Sequence, residues 1–274
     1  MVLIADIVLI IVALVATALA GWNDLKTREV PDWISYGLII TGFVIRLMES
    51  LLSSSWSYFY YAIFGFIALY FFGMLMFRTK QWGGGDAKLI MGLGVVFATR
   101  PYFVPESYMP FLVILLINTL LIGAVYGMLF GVWLAWRNRS KFRKAMQQLV
   151  KQKSIMQLRI TTLCVAIPLF IASFFFQTIM LRLSSMVVAL LLLIYPYLWA
   201  FIKAIESACL LKKMHPSKLT EGDWVEGNVI LKNKVIYKPK NIGIEKEDIQ
   251  KLIKAKIKSV LVKDGIPFTP TFLL

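Results

Sequence analysis

Residues 2–22, VLIADIVLIIVALVATALAGW, carry one charged side chain, Asp6, and no Lys or Arg. About 20 consecutive apolar residues in an α-helix cross the hydrocarbon core of a bilayer, so this stretch makes the chain a membrane protein. No basic residue precedes it and no small-residue cleavage site follows, which marks a retained helix rather than a signal peptide. Further windows of the same kind begin at Trp33, fading between Arg46 and Leu52, and cover residues 58–77, 111–136, 160–181 and 184–205. A shorter apolar run follows Asp86. With 59% hydrophobic and 16% charged residues in 274, the chain is too apolar for an ordinary soluble domain. The expected fold is an all-α polytopic membrane protein of about seven transmembrane helices, six to eight being consistent with the windows.

The distribution of Lys and Arg orients these helices. Residues 137–159, RNRSKFRKAMQQLVKQKSIMQLR, are dense in basic side chains and free of acid, and are therefore placed in the cytoplasm. Counting back sets the loops holding Lys26 and Arg28, and Arg78, Lys80 and Lys88, on the same side. The loops near ESLLSSSWS and RPYFVPESYMP, poor in basic residues, fall opposite. The scheme requires the run from Asp86 to Thr99 to cross, although it makes only about 20 Å of helix; the adjacent YFV is expected to help. The net charge of +15 is accounted for by cytoplasmic loops facing anionic lipid rather than by nucleic acid. Cys164 and Cys209 are separated, with no CxxC, so neither a disulfide framework nor a zinc site is indicated.

Past Lys212 the composition becomes charged and punctuated by Gly and Pro. VEGNVIL and KVIYK read as short strands about a Lys-Asn turn, and EKEDIQKLIKAKIKSV reads as an amphipathic helix. The resulting organisation is a membrane core over 1–136, a basic cytoplasmic loop over 137–159, an additional helix pair over 160–205, and a small cytoplasmic α/β domain over 212–274. Gly123, Gly127 and Gly131 are spaced to form a small face for close helix packing.

Chemistry is narrowed by elimination. The lone histidine, His215, follows the last span and reads as a solvated linker residue. HExxH and GxxxxGK[ST] sequences are absent. Carboxylates remain: Asp24 directly follows the first span and Asp86 directly precedes the fourth, at one cytoplasmic interface. Two carboxylates meeting there can share a proton, the ionised one activating water and the protonated one polarising a carbonyl. In QWGGGDAKLIMGLG, residues 81–94, glycines allow close backbone approach and the helix N-terminus favours a charged Asp86, with Lys88 adding to that. Read alone, the glycines fit a flexible loop and Asp86 a helix cap equally well. Asp6 lies about 27 Å along the helix from Asp24 and belongs to the opposite interface. Asp32 is expected to be the N-cap of the second span, and Glu29 a solvated loop charge.

GGGDAKL together with NDLKTREVPDW resembles the type IV prepilin peptidase family of GxGD aspartic proteases, most closely its archaeal preflagellin (prearchaellin) branch. The resemblance is specific over about residues 1–100. Within it Asp24, with Lys26, Val30 and Pro31, matches the first motif. Gly83, Gly85 and Asp86 match GxGD. It implies that Asp24 and Asp86 are catalytic, with Gly83 and Gly85 as the motif glycines; close backbone approach makes Gly83 and Gly85, with Lys88 beside them, the expected substrate-binding residues. It further implies removal of short basic leaders from archaellin or pilin-like precursors at the cytoplasmic membrane face, with membrane lipids as the other partner and neither metal nor cofactor. The four-cysteine zinc segment of many bacterial members is absent, and with it the expectation of N-methyltransferase activity. The ending GIPFTPTFLL resembles the [IV]-P-F-x-P stretch that leads into a last membrane helix in relatives. Two other readings remain at this level. An intramembrane protease of the presenilin type also uses GxGD, but with its first aspartate in a Tyr-Asp pair, where Asn23 precedes Asp24 here. A polytopic transporter or scaffold would use Asp24 and Asp86 as ion or proton sites, although transporters place such groups near the midplane.

Overall fold

The computed structural model describes residues 2–231, 234–240 and 243–273. Its helices are α1 (Val2–Thr27), α2 (Asp32–Leu52), α3 (Ser57–Arg78), α4 (Gly84–Val96), α5 (Phe111–Arg137), α6 (Arg139–Val150), α7 (Lys153–Ser173) and α8 (Ile179–Ile205). Beyond them lie β1 (Leu211–Met214), β2 (Trp224–Val225), β3 (Val229–Leu231), β4 (Lys234–Tyr237), α9 (Lys246–Lys254) and β5 (Val260–Lys263). Among the described residues six helices are long and apolar enough to cross a membrane, namely α1, α2, α3, α5, α7 and α8.

The fourth expected span is different in kind. α4 has 13 residues, and the YFV expected to extend it, Tyr102–Val104, lies beyond its end in a turn. It needs no lipid-matched length because it faces protein: from Ala87 to Val96 every residue except Lys88 is buried, mainly against α2 and α3. Close approach depends on glycine. A Cβ on Gly65 would lie 2.2 Å from the Gly94 carbonyl oxygen, and one on Gly94 would lie 2.5 Å from that of Gly65. The backbones of α3 and α4 are thus in direct contact, the arrangement that small residues permit between membrane helices.

At the far end of α1 a charged cluster ties the helices together. The Arg46 guanidinium, 1% exposed, donates to Glu49 at 2.7 Å, to the Val96 carbonyl at 2.6 Å and to Asp6 at 3.5 Å. Asp6 also accepts from the Tyr102 amide at 2.8 Å. Buried charge in a membrane bundle is tolerated when paired and hydrogen-bonded in this way. The cluster fixes Asp6 at the end of α1 opposite Asp24, as expected. It also shows that α4 and the segment to Tyr102 together run the distance between them.

The charged C-terminal part contains a three-stranded antiparallel sheet in the order β1-β5-β2, with Leu211 opposite Lys263 and Val225 opposite Val262. A separate β3–β4 hairpin stands beside it; the Lys-Asn turn expected between its strands falls at 232–233, outside the described residues. Val225, Ile244, Leu252, Val260 and Val262 are among the residues of its core. α9 is shorter than its periodicity suggests because Lys256 adopts φ 54° and the Ile257 amide donates to the Leu252 carbonyl, a Schellman-type stop. The residues it releases include Val260, the first of β5.

After β5 the chain returns to the membrane helices. Residues 265–273 pass along α1 and α5, ending in a single helical turn at Thr269–Phe272.

Candidate active site

Asp24 sits in the last turn of α1. Asp86 is the third residue of α4, and its Oδ2 accepts from the Gly83 amide at 3.1 Å. That bond satisfies one of the amides a helix N-terminus otherwise leaves open, which fixes the Asp86 rotamer. Both carboxylates are buried, Asp24 at 6% and Asp86 at 8% exposure. One residue bridges the two carboxylates. The Thr269 amide donates to Asp24 Oδ2 at 3.1 Å, and the Thr269 hydroxyl donates to Asp86 Oδ1 at 2.7 Å.

Thr269 is held by the packing of its neighbours. The Phe268 ring lies 5.1 Å from that of Trp82 and the Phe272 ring 5.5 Å from the same indole, centroid to centroid. Trp82 also meets Phe72 edge-on at 5.5 Å. Pro270 rests on Gly21, where an added Cβ would be 3.4 Å from its Cα. Phe268 presses into α5 at Gly123, where a Cβ would come within 2.4 Å of the ring. Arg28 donates to the Gly265 carbonyl at 3.3 Å. The glycine face of α5 therefore serves two partners: Gly123 admits Phe268, Gly131 admits Ile205 of α8, and Gly127 meets no atom within 4 Å.

The other residues singled out from the sequence take definite places. Gly83 is the N-cap of α4 and supplies the amide to Asp86. Gly85 faces Val30, whose Cβ would lie 2.6 Å from a Cβ added there, so this glycine docks the α1–α2 loop beside the carboxylates. Lys88 points to Asp32 at 2.6 Å and lies over the Tyr36 ring. Asp32 is the first residue of α2 after Pro31 at the cap position, without a capping hydrogen bond of its own. Its side chain is engaged by Lys88 instead, which corrects the N-cap expectation. Thr269, Trp82 and Phe268 were not recognised as site residues. The signal for Phe268 and Thr269 is the stretch GIPFTPTFLL, which reads as the approach to a further helix, and Trp82 lies beside the glycines of QWGGGD.

Residues 8–136 match the model of the type IV leader peptidase family. That stretch contains Asp24, Gly83, Gly85 and Asp86. Similar proteins include a preflagellin peptidase of Methanocaldococcus jannaschii, 36% identical over 36% of this chain and 39% of that protein. A prepilin peptidase EppA of Methanothermobacter thermautotrophicus is 25% identical over 74% of this chain and 56% of its own length. The chain thus spans less than two thirds of the curated relatives it matches. No solved structure matches it. Thr269 lies outside the leader-peptidase stretch, so the site combines the family region with a residue from the far end of the chain.

Proposed function

We propose that the protein is a membrane aspartic endopeptidase that removes short basic leaders from archaellin or pilin-like precursors at the cytoplasmic membrane face. The observation that carries this reading is the meeting of Asp24 and Asp86 on one buried residue, Thr269. With one proton between the carboxylates, the ionised member takes a proton from water as its oxygen bonds the scissile carbonyl carbon. The other gives its proton to the carbonyl oxygen. Collapse of the tetrahedral diol breaks the C–N bond as the proton held by the first carboxylate goes to the departing amine and a diol hydroxyl gives its proton to the second, which restores the starting pair. Their titration belongs to the pair. The cytoplasmic assignment is supported by α6 and its flanks, which carry basic residues and no acid.

Such a site sets the substrate's form. The scissile bond sits between a leader at the interface and a helix in the same bilayer. A Gly at the cleavage position, as the family implies, permits an extended backbone to reach two buried carboxylates. Glu29 is exposed and suits a basic leader residue, while Asp32 is already engaged by Lys88. Exposed pairs contribute about 1 kcal/mol or less each. Reversing the leader charge is therefore expected to slow cleavage several-fold, and replacing the leader Gly with Leu to stop it. The measurement is N-terminal sequencing of products from a precursor panel incubated with membranes holding this protein. Cleavage within the apolar helix would favour the intramembrane-protease reading. Absence of cleavage for every leader would overturn the proposal in favour of a transporter.

The donor set argues for metal-free chemistry. Among the described residues no group of three His, Cys, Asp or Glu side chains is placed to hold a metal ion, and two carboxylates joined by a hydroxyl are a poor cage. EDTA is expected to leave the cleavage rate unchanged, as followed by gel assay. Loss of activity restored by a divalent ion would contradict the mechanism.

A further inference from the structure

We infer that Thr269 is a positioning residue of the peptidase centre and that it makes the two aspartates unequal. The inference rests on the aspartic-peptidase reading. Thr269 is 0% exposed, and it spends both of its donors on the carboxylates, the amide on Asp24 and the hydroxyl on Asp86. A hydroxyl rotates freely in solution; here the aromatic packing of Phe268 and Phe272 on Trp82 holds the residue in one place. Three of the four carboxylate oxygens accept a hydrogen bond: Asp86 Oδ1 from Thr269, Asp86 Oδ2 from Gly83 and Asp24 Oδ2 from Thr269. Asp24 Oδ1 accepts none among the described residues. A carboxylate with both oxygens engaged is fixed in orientation, whereas the open oxygen of Asp24 is the place where a water can be taken up. Thr269 thereby assigns Asp24 the hydrolytic water and keeps Asp86 aimed at the carbonyl.

The same geometry distinguishes this role from that of a blocking peptide. A segment that occupied the substrate's place would offer a backbone carbonyl to the carboxylates. The tail instead presents donors, which is what an anionic pair needs from its own scaffold.

The test compares T269S, T269V and T269A of the full chain with the unaltered protein, on a precursor peptide, together with D24N. T269S keeps the hydroxyl and is expected to hold kcat within about threefold. T269V keeps the size and the backbone amide but removes the donor to Asp86. With Asp86 as the protonated member, the lost bond joins neutral groups and is of the order that changes a rate up to about 10-fold, so kcat is expected to fall toward that factor while KM stays within about threefold. T269A is expected to follow T269V, which covers the case in which the valine is poorly accommodated. A merely structural role would move thermal stability and KM for all three variants and would not be rescued by serine. Unchanged or increased kcat in T269V and T269A would overturn the inference, an increase marking the tail as a plug. If D24N cleaves as well as the unaltered protein, the peptidase reading itself fails, separately from the role of Thr269.

Discussion

Replacing Asp24 or Asp86 with Asn is expected to abolish precursor cleavage, with kcat reduced by roughly 10⁴-fold or more, as for other residues that act as one catalytic unit. The amide keeps the size of the carboxyl and its oxygen can still accept from Thr269; in Asp86→Asn the Gly83 amide then faces an NH2 group and loses its acceptor, which leaves the bridge to the C-terminal segment in place. What is lost is the ability to take up and return a proton. The double variant is expected to be no worse than either single, because removing one member already stops the exchange between them. Turnover of a purified precursor in detergent, with circular dichroism to verify helix content, measures this. Substantial cleavage by either single variant would remove the assignment.

The second large effect is structural. G65V is expected to destabilise the folded protein by about 3 kcal/mol or more, the upper end of what overpacking against an unyielding neighbour costs. The atom in the way is a backbone carbonyl of α4, and Ala98 stands 3.0 Å from the same Cβ position, so relief requires α3 and α4 to separate. Because Asp86 is in the first turn of α4, separation would also disturb the carboxylates. G127V is the matched control: an added Cβ there meets no atom within 4 Å, and near-neutral stability is expected. Thermal unfolding in detergent distinguishes the pair; equal melting points would show that the α3–α4 contact is not as close as described.

The sequence carries the membrane helices plainly because each must present an apolar face to lipid over its full length, and that requirement is written in composition. It carries α4 less well. A helix wrapped by other helices answers to glycine packing rather than to bilayer thickness, so its 13 residues fall short of the expected window. The two aspartates were legible from their positions at helix ends, since a carboxylate at a bilayer edge is uncommon enough to stand out. Thr269 was not. Threonine is an ordinary residue, and its role depends on a fold that brings it back 183 residues to Asp86, a relation that no local pattern expresses. β1 and β5 escaped for a related reason: LKKM and VLVK become strands by pairing with each other, and neither has a distinguishing alternation of its own.

The bond between Thr269 and Asp24 joins positions 245 residues apart. At about 5–20 residues per second of synthesis, α1 leaves the ribosome roughly ten to fifty seconds before the residue that will steady its aspartate. Throughout that interval the bundle can insert and pack, yet it holds two carboxylates with no common anchor. On the aspartic-peptidase reading proposed above, a chain interrupted before GIPFTPTFLL would hold Asp24 and Asp86 in the membrane without the two donors of Thr269, and full proteolytic competence would follow the synthesis of that segment.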